Sequence, residues 1–310
     1  MSTSKLTLRQ FRYLIALADS LHFQRAAERV GVSQPSLSAQ IQNIEGALGI
    51  QLIERNRAGI SLTPVGREIV TRARRVVEEV QGISDFALEA QHGLIGTIRM
   101  GVKPTLGPYL LPHMVTALHS ENPELKLYVR EGAPRELEFE LARGEYDVIL
   151  AQLPVSGAEL ITERLFREPL YLALPAEHPL VQEKAVRSDQ LAGLQVLSLT
   201  PKYHLHDQIT GLCEEFGATL LRDYEGTSLD ALRIMVGMDM GVTFVPALYA
   251  QSEIAAQSEV TVRPIQGRRI TRSIGLVWRK SAGRAAAYRQ IAETIKKVVA
   301  QEFKMLTIEG

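Results

Sequence analysis

The chain has one thiol, Cys213, and a thiol can be oxidised to a sulfenic acid or joined to a second thiol. With one cysteine in each chain, an internal disulfide cannot form, whatever the oxidant. Two interpretations of Cys213 stay open. It is either a buried residue without a chemical role, or a one-thiol redox sensor that forms a sulfenic acid or an intersubunit bridge.

Two histidines and an aspartate come shortly before the cysteine, and His204, His206 and Asp207 offer donor atoms that suit a metal ion. Histidines two positions apart face opposite sides of a strand and diverge on a helix, so they chelate one ion only in a loop. The alternative is a solvated loop or helix start, and we predict no metal site.

An enzyme would need a nucleophile and a base in contact, and the best pair is Cys213 with His206. Two turns of one predicted helix would separate them by about 10 Å. The chain has no phosphate loop, dinucleotide-binding glycine pattern or nucleophile elbow, because the glycines of 93–96 and 237–241 are too sparse. We therefore predict neither an enzyme nor a cofactor.

A second set of polar side chains has the spacing of a base-reading helix. Gln34, Ser38 and Gln42 recur every four residues and so share one helix face. A short helix fits the major groove, where glutamine can pair with adenine through two hydrogen bonds and serine can donate or accept one. The alternative is an ordinary amphipathic helix with a solvated polar face.

Two short helices joined by a tight turn would position these side chains. Gly31 can take the left-handed conformation that ends the first helix, Ser33 can cap the second, and Pro35 is tolerated in its first turn. Apolar residues of the second helix recur at spacings of three or four and must face a core: Leu37, Ile41, Ile44 and Leu48. This pattern indicates a helix-turn-helix.

A basic segment follows the second helix. Residues 51–63 predict two short strands around a glycine-containing turn, with Arg55 and Arg57 at its tip, which is typical of a wing. Residues 1–75 contain eleven Lys or Arg against five Asp or Glu, a net charge of about +6 in a chain whose total is zero. We therefore expect only this quarter of the chain to bind double-stranded DNA. The residues predicted to contact DNA are Gln34, Pro35, Ser36, Ser38, Gln42, Arg55 and Arg57.

A long helix is predicted from Thr63 and Pro64 to about Gly93. Its apolar residues step by three or four, close to the seam of a coiled coil: Val65, Ile69, Ala73, Val76, Val80, Ile83, Ala87 and Ala90. We expect this helix to pair with a second chain. The alternative is that it packs against the chain's own N-terminal unit.

Beyond Gly96, strands and helices alternate, which predicts parallel β-α-β units in two lobes of similar build. The predicted strands are Thr97–Val102, Leu125–Arg130, Asp147–Gln152, Gln195–Leu199, Leu220–Tyr224 and Val242–Val245. The predicted helices are Tyr109–His119, Pro134–Arg143, Leu205–Phe216, Leu229–Met238 and Ala285–Phe303. Two longer strands, Glu163–Pro175 and Arg272–Lys280, would cross between the lobes.

The overall composition bounds the class of protein. A length of 310 residues predicts two or three compact units, and a single cysteine favours a reducing compartment. The chain has no apolar run long enough for a membrane span, and its first residues lack the apolar core of a signal peptide. We expect a cytoplasmic protein without a membrane partner.

The helix-turn-helix, the segment Thr63-Pro64-Val65-Gly66 and the two-lobed remainder resemble LysR-type transcriptional regulators over essentially the whole chain. The resemblance implies an α/β fold class, with an all-α-type winged helix-turn-helix N-terminal domain and a two-lobed, periplasmic-binding-protein-like α/β effector domain. It also implies promoter DNA, RNA polymerase and a small-molecule effector as partners, and a homotetramer built as a dimer of dimers. The expected boundaries are 1–63 for the DNA-binding domain, 64–95 for the dimerisation helix, 96–170 with 273–310 for the first lobe and 171–272 for the second.

Residues 104–113, 227–233 and 241–248 most resemble the peroxide-responsive members of that family. In those members the peroxide-reactive cysteine falls at the position of His204 and the resolving cysteine at that of Cys213. Tyr203 also replaces a histidine there, and Pro134 replaces a threonine. The resemblance therefore implies that the thiol switch is lost, and it stays open whether a non-thiol signal reports oxidative stress instead.

The interlobe cleft is the predicted effector site, because ligands bind at the strand ends of open α/β sheets. Hydroxyl and N–H groups of Thr105, Thr227 and Ser228 would converge there, unless the last two only cap a helix. With the positions that the resemblance adds, the candidate effector-binding residues are Thr105, Leu106, Pro134, Tyr203, His204, Thr227, Ser228, Phe244, Val245 and Pro246. A solute-binding protein would share this cleft, but it would need an export signal and would not use a basic helix-turn-helix.

Overall fold

The computed structural model describes residues 6–56, 59–92, 94, 96–256 and 258–309. The chain divides into two compact units, an N-terminal unit of Met1–Gln91 with Ser281–Arg284 and a C-terminal unit of His92–Lys280 with Ala285–Gly310. Of the helices in the described ranges, none combines the length and the apolar character that a membrane span requires.

The N-terminal unit has three short helices, a strand pair and one long helix. These elements are α1 (Leu8–Ser20), α2 (Phe23–Arg29), α3 (Gln34–Leu48), β1 (Ile53–Asn56), β2 (Gly59–Leu62) and α4 (Pro64–His92). The turn between α2 and α3 has the predicted local signals, because Gly31 is left-handed at φ 67° and the Ser33 side chain accepts a hydrogen bond from the N–H of Ser36. The helix-turn-helix, the strand pair and the long helix are therefore confirmed as folded elements.

The apolar face of α3 closes the core of this unit. Leu37, Ile41 and Ile44 have no exposed surface, as predicted, and Leu48 is partly buried. One oxygen of the Glu45 carboxylate accepts hydrogen bonds from the backbone N–H groups of Leu52 and Ile53, at 2.8 and 3.1 Å. This contact fixes the strand pair against the C-terminal turns of α3.

The C-terminal unit alternates strands and helices. Its strands are β3 (Gly96–Val102), β4 (Leu125–Glu131), β5 (Val148–Gln152), β6 (Leu160–Pro175), β7 (Gln195–Leu199), β8 (Thr219–Gly226), β9 (Thr243–Pro246), β10 (Val260–Arg263), β11 (Thr271–Arg279) and β12 (Thr307–Ile308). Its helices are α5 (Gly107–Glu121), α6 (Pro134–Ala142), α7 (His204–Phe216), α8 (Leu229–Gly237), α9 (Ala247–Tyr249, continued by a π-helical turn over Ala250–Ile254) and α10 (Ala285–Glu302).

Two lobes share the long strand β6. In the first lobe, β3 pairs in parallel with β4 and β5, and β11 runs antiparallel to β5 and to residues 160–169 of β6. In the second lobe, residues 170–175 of β6 pair with β9 and β10. The prediction that Arg272–Lys280 also crosses between the lobes is wrong, because β11 begins opposite Pro169, where β6 leaves the first lobe.

Each lobe has its own packed interior. The second lobe encloses one apolar core between residues 170 and 270, to which β7, β9, α7 and α8 all contribute. In the first lobe, α10 packs on α5 and on the sheet, where the Trp278 and Tyr288 rings lie 5.7 Å apart. The predicted return of the C-terminal helix to the first lobe is confirmed.

Candidate DNA-binding surface and effector site

The polar strip of α3 lies beside the buried face of the same helix. Gln34 and Gln42 are exposed, and Ser38 is half-buried between them. Pro35 and Ser36 are exposed in the first turn. Positions four residues apart on a helix stand about 6 Å apart along its axis, so the three side chains form one continuous strip.

The wing is described only in part. The backbone of Arg55 lies in β1, opposite Ile60 of β2. Arg57 lies outside the described residues, and the side chain of Arg55 is not among those described. The expected phosphate contacts of both arginines stay predictions.

The surroundings of the long helix α4 differ between its first and its later turns. Val70 and Ala73 are buried, and Val70 belongs to the core of the N-terminal unit. Further along, Val76 is exposed and Ile83 is 68% exposed. The first turns of α4 therefore pack on the chain's own unit, whereas the later turns present the apolar side chains of Val76 and Ile83 to solvent.

A buried ion pair lies where β6 passes from one lobe to the other. Both side chains, Arg272 of β11 and Glu168 of β6, are 0% exposed, and Nη2 of the arginine lies 2.7 Å from Oε2 of the glutamate. Arg272 also donates to the hydroxyl and the carbonyl oxygen of Thr105, at 2.8 and 3.1 Å. Oε1 of Glu168 accepts from the N–H of Leu248, at 2.8 Å. One ion pair thus connects Thr105 of the first lobe to Leu248 of the second.

A chain of amide side chains also joins the lobes. Lys103 follows β3 and is 2% exposed, and its Nζ lies 3.5 Å from Oε1 of Gln152 at the end of β5. Nε2 of Gln152 donates to Oε1 of Gln208 on α7, at 3.2 Å. Gln208 in turn donates to the carbonyl oxygen of Thr271, at 3.0 Å. Lys103 therefore stands at the strand ends where the cleft was predicted.

His204, which starts α7, faces Glu138 of α6 across the cleft. Nε2 of His204 lies 3.6 Å from Oε1 of Glu138. Burial, and then the charge of Arg272, lowers the pKa of Lys103 to about 7. Burial also raises the pKa of the Glu138 carboxyl and lowers that of His204, the latter with help from the charge of Lys103. All three groups are thereby shifted towards their neutral forms.

The other predicted effector residues have mainly structural surroundings. Ser228 caps α8 by accepting a hydrogen bond from the N–H of Ala231, at 3.2 Å, and Thr227 is exposed beside it. Tyr203 precedes α7 and is partly buried against the second-lobe core. The remaining predicted positions are buried: Leu106, Pro134, Phe244, Val245 and Pro246. Only Thr105 and His204 are thus placed in the polar contacts between the lobes, and a ligand-binding role for any of these residues stays a prediction.

Cys213 lies on α7 inside the core of the second lobe. Burial, and then the charge of Glu214, raises the pKa of its thiol to about 11. Nδ1 of His206 lies 2.7 Å from the carbonyl oxygen of Leu199, whereas His204 faces Glu138, so the two histidines have separate partners. Among the described residues, no group of His, Cys, Asp and Glu is arranged to hold a metal ion.

We expect the Cys213 thiol to react slowly in the folded protein, because only the thiolate is nucleophilic and a pKa of about 11 leaves it protonated at pH 8. The rate of its reaction with a chromogenic disulfide should be at least about 100-fold lower in the native protein than in urea. The Cys213→Ser variant supplies the blank. Equal rates in the native protein and in urea would show that the thiol is accessible and would support the one-thiol sensor.

Lys103, Glu138, Glu168 and Arg272 were not among the predicted site residues. The available signal was weak, because Glu168 follows the exposed Arg167 in β6 and only its burial distinguishes it from the other charged residues of that strand. A charge at such a position has to find a partner from another element.

Comparison with known families gives two matches. Residues 91–300 match the LysR substrate binding domain, and residues 8–67 match the bacterial regulatory helix-turn-helix proteins of the lysR family. The chain is 36% identical over 291 residues to the DNA-binding transcriptional dual regulator OxyR of Escherichia coli K12, covering 94% of this chain and 95% of that protein. It is 33% identical to a probable hydrogen peroxide-inducible genes activator of Mycobacterium leprae, with 96% and 95% covered.

Solved structures agree with this assignment. A cysteine-to-aspartate variant of full-length OxyR from Pseudomonas aeruginosa superposes with a TM-score of 0.81 at 34% identity, covering 94% of this chain and 95% of that one. The oxidised form of Corynebacterium glutamicum OxyR gives a TM-score of 0.59 at 29% identity, with 95% and 93% covered. The chain therefore belongs to the LysR family and is an OxyR-like, DNA-binding transcriptional regulator with an effector-binding domain.

Proposed function

We propose that the chain reads a pseudo-palindromic promoter site through Gln34, Ser38 and Gln42, and that an effector in the interlobe cleft alters how the paired domains sit on DNA. The observation that carries the DNA part is the polar strip of α3, in which Gln34 and Gln42 are exposed, beside the buried apolar face of the same helix. Arg55 and Arg57 would add phosphate contacts, which contribute affinity for any sequence.

The effector part rests on the contacts between the lobes. The Arg272–Glu168 pair and the amide chain through Gln152 and Gln208 each contact both lobes, so a ligand among them would bias how the lobes are arranged. Relatives are named hydrogen peroxide-inducible genes activators. We infer that this chain is also an activator, that it acts through contact with RNA polymerase, and that effector binding takes the place of an internal disulfide.

We also propose that α4 dimerises the chain and that dimers associate as a tetramer. The exposed apolar side chains of Val76 and Ile83 support a second helix along the later turns of α4. A dimer places two α3 helices on two half-sites of the promoter, which a single α3 cannot bind at once.

Replacing Gln34 by alanine tests the reading role. We expect the affinity for the protected site upstream of a regulated gene to fall by roughly 10–100-fold, since one good bidentate contact discriminates by about 1–3 kcal/mol. Affinity for random DNA should change little. As a control, replacing the exposed Gln81 of α4 by alanine should leave the affinity for the specific site and for random DNA unchanged. Equal losses on specific and random DNA would refute the proposal.

A further inference from the structure

Three titratable groups in the interlobe cleft take no part in the Arg272–Glu168 ion pair. The Lys103 ammonium has three protons to donate, and its one acceptor among the described residues is Gln152, at the long distance of 3.5 Å. Oε1 of Glu138 is buried and receives no hydrogen bond from any residue that the structure describes. His204 completes the group, 3.6 Å from that oxygen.

The surroundings of Lys103 favour a free amine over an ammonium. Its position is almost fully buried, and the neighbouring guanidinium of Arg272 repels a second positive charge. Of the two carboxylates whose charges act on Lys103, Glu168 is already bonded to Arg272. With a pKa of about 7, roughly half of the Lys103 side chains are free amines at neutral pH, against about one in three thousand for an ordinary lysine.

We propose that Lys103 captures a small carbonyl compound, an aldehyde or a 2-oxo acid, as an imine in the interlobe cleft. This inference rests on the proposed function, because it takes that cleft as the effector site. A lysine that is desolvated beside another cation is the kind that forms imines with carbonyl compounds in proteins. An imine suits a sensor because it is reversible, and hydrolysis restores the amine and the carbonyl compound.

Imine formation needs a free amine and a proton donor, which Lys103 and Glu138 supply. The amine lone pair attacks the carbonyl carbon and gives a carbinolamine. The Glu138 carboxyl, whose pKa is raised by burial, donates a proton in its protonated form to the departing hydroxyl, so that the C–O bond breaks, the C=N bond forms and water leaves. The nitrogen then loses its second proton to the Glu138 carboxylate, and no oxidant or reductant is required.

Glu138 and His204 are the partly solvent-exposed members of this group. Their side chains keep 22% and 25% of their surface exposed, whereas Lys103 lies deeper. A 2-oxo acid would bring a carboxylate towards His204 and Arg135, whose charge lowers the pKa of that histidine. An aldehyde would lack this contact, so an anionic and a neutral probe distinguish the two sources of the carbonyl group.

The test uses the full-length protein with butanal or 2-oxobutanoate, trapped by sodium cyanoborohydride and followed by peptide mass spectrometry. We expect modification of Lys103 at least about tenfold faster than that of the exposed Lys126, with a rate that rises through a midpoint near pH 7. The Lys103→Met variant should lose the fast reaction, and Lys126→Met should keep it. Glu138→Gln should slow it by about 100-fold, as expected for loss of a general acid.

Modification of Lys103 no faster than Lys126, or only after unfolding in urea, would overturn the inference. The promoter footprint, measured on the same samples, separates this inference from the proposed function. If another small molecule changes the footprint while Lys103 stays unmodified, the effector role of the cleft is supported and imine formation at Lys103 is overturned. If Lys103 is modified and the footprint is unchanged, capture is upheld and its regulatory role is overturned.

Discussion

Replacing Glu168 by glutamine will destabilise the C-terminal unit by about 3–5 kcal/mol, because it leaves the Arg272 guanidinium buried without a counter-charge. The expected fall in Tm is about 6–20 °C for a unit of this size. Urea unfolding followed by circular dichroism measures the change. The loss should be larger than for any exposed ion pair, since exposed charges are solvated in both the folded and the unfolded state.

Two control variants separate the effect of the unpaired Arg272 charge on stability from the effect of losing the contacts of Glu168. The double variant Glu168→Gln with Arg272→Met should recover part of the stability, because it removes both charges. Asp189→Asn breaks the exposed pair with Arg187 and should leave the urea midpoint unchanged. A Glu168→Gln protein that unfolds at the native midpoint would mean that Arg272 is not desolvated in solution.

Replacing Gly66 by alanine will destabilise the N-terminal unit by about 2–4 kcal/mol and weaken DNA binding with it. A Cβ atom at this position would overlap the carbonyl oxygen of Leu52 and lie 3.0 Å from its carbonyl carbon. These are backbone atoms, so no side-chain rotation relieves the clash. Thermal unfolding and binding to a promoter fragment measure the two effects.

Gly46 of α3 provides the matched control, because a Cβ there would meet nothing within 4 Å. Gly46→Ala should stabilise the same unit by about 0.5–1 kcal/mol, since alanine loses less conformational freedom on forming a helix. If Gly66→Ala lowers the free energy of unfolding and Gly46→Ala raises it, close packing at the start of α4 is established. Changes of the same sign and size in both variants would contradict close packing there.

The helix-turn-helix could be predicted because each of its signals acts on neighbouring residues. Gly31 and Ser33 determine the backbone within one turn, and Leu37, Ile41 and Ile44 reveal the buried face by their spacing. The structure confirms these placements. Helical spacing also predicted a seam on α4, but it could not say which turns would be covered by the same chain.

The polar contacts of the cleft could not be predicted in the same way. Thr105 was chosen for its position after a strand, but its partner Arg272 is 167 residues away and reaches it only through the pairing of β6 with β11. Lys103 and Glu138 are also far apart in sequence, because Lys103 follows β3 and Glu138 lies on α6. Phe244 and Val245 were expected at the cleft, whereas the pairing of β9 with β6 places them in the second-lobe core.

The shared strand β6 has a consequence for the order in which the chain can fold during synthesis. The second lobe is one uninterrupted stretch of sequence, but the first lobe needs β11 and α10, which are translated after the whole second lobe. Domains fold as units while the ribosome proceeds, so α1 to α3 can assemble first and the second lobe next. A nascent chain therefore has a folded DNA-reading element before it has a complete sensor, and truncation after the second lobe would leave the first without its returning strand and covering helix.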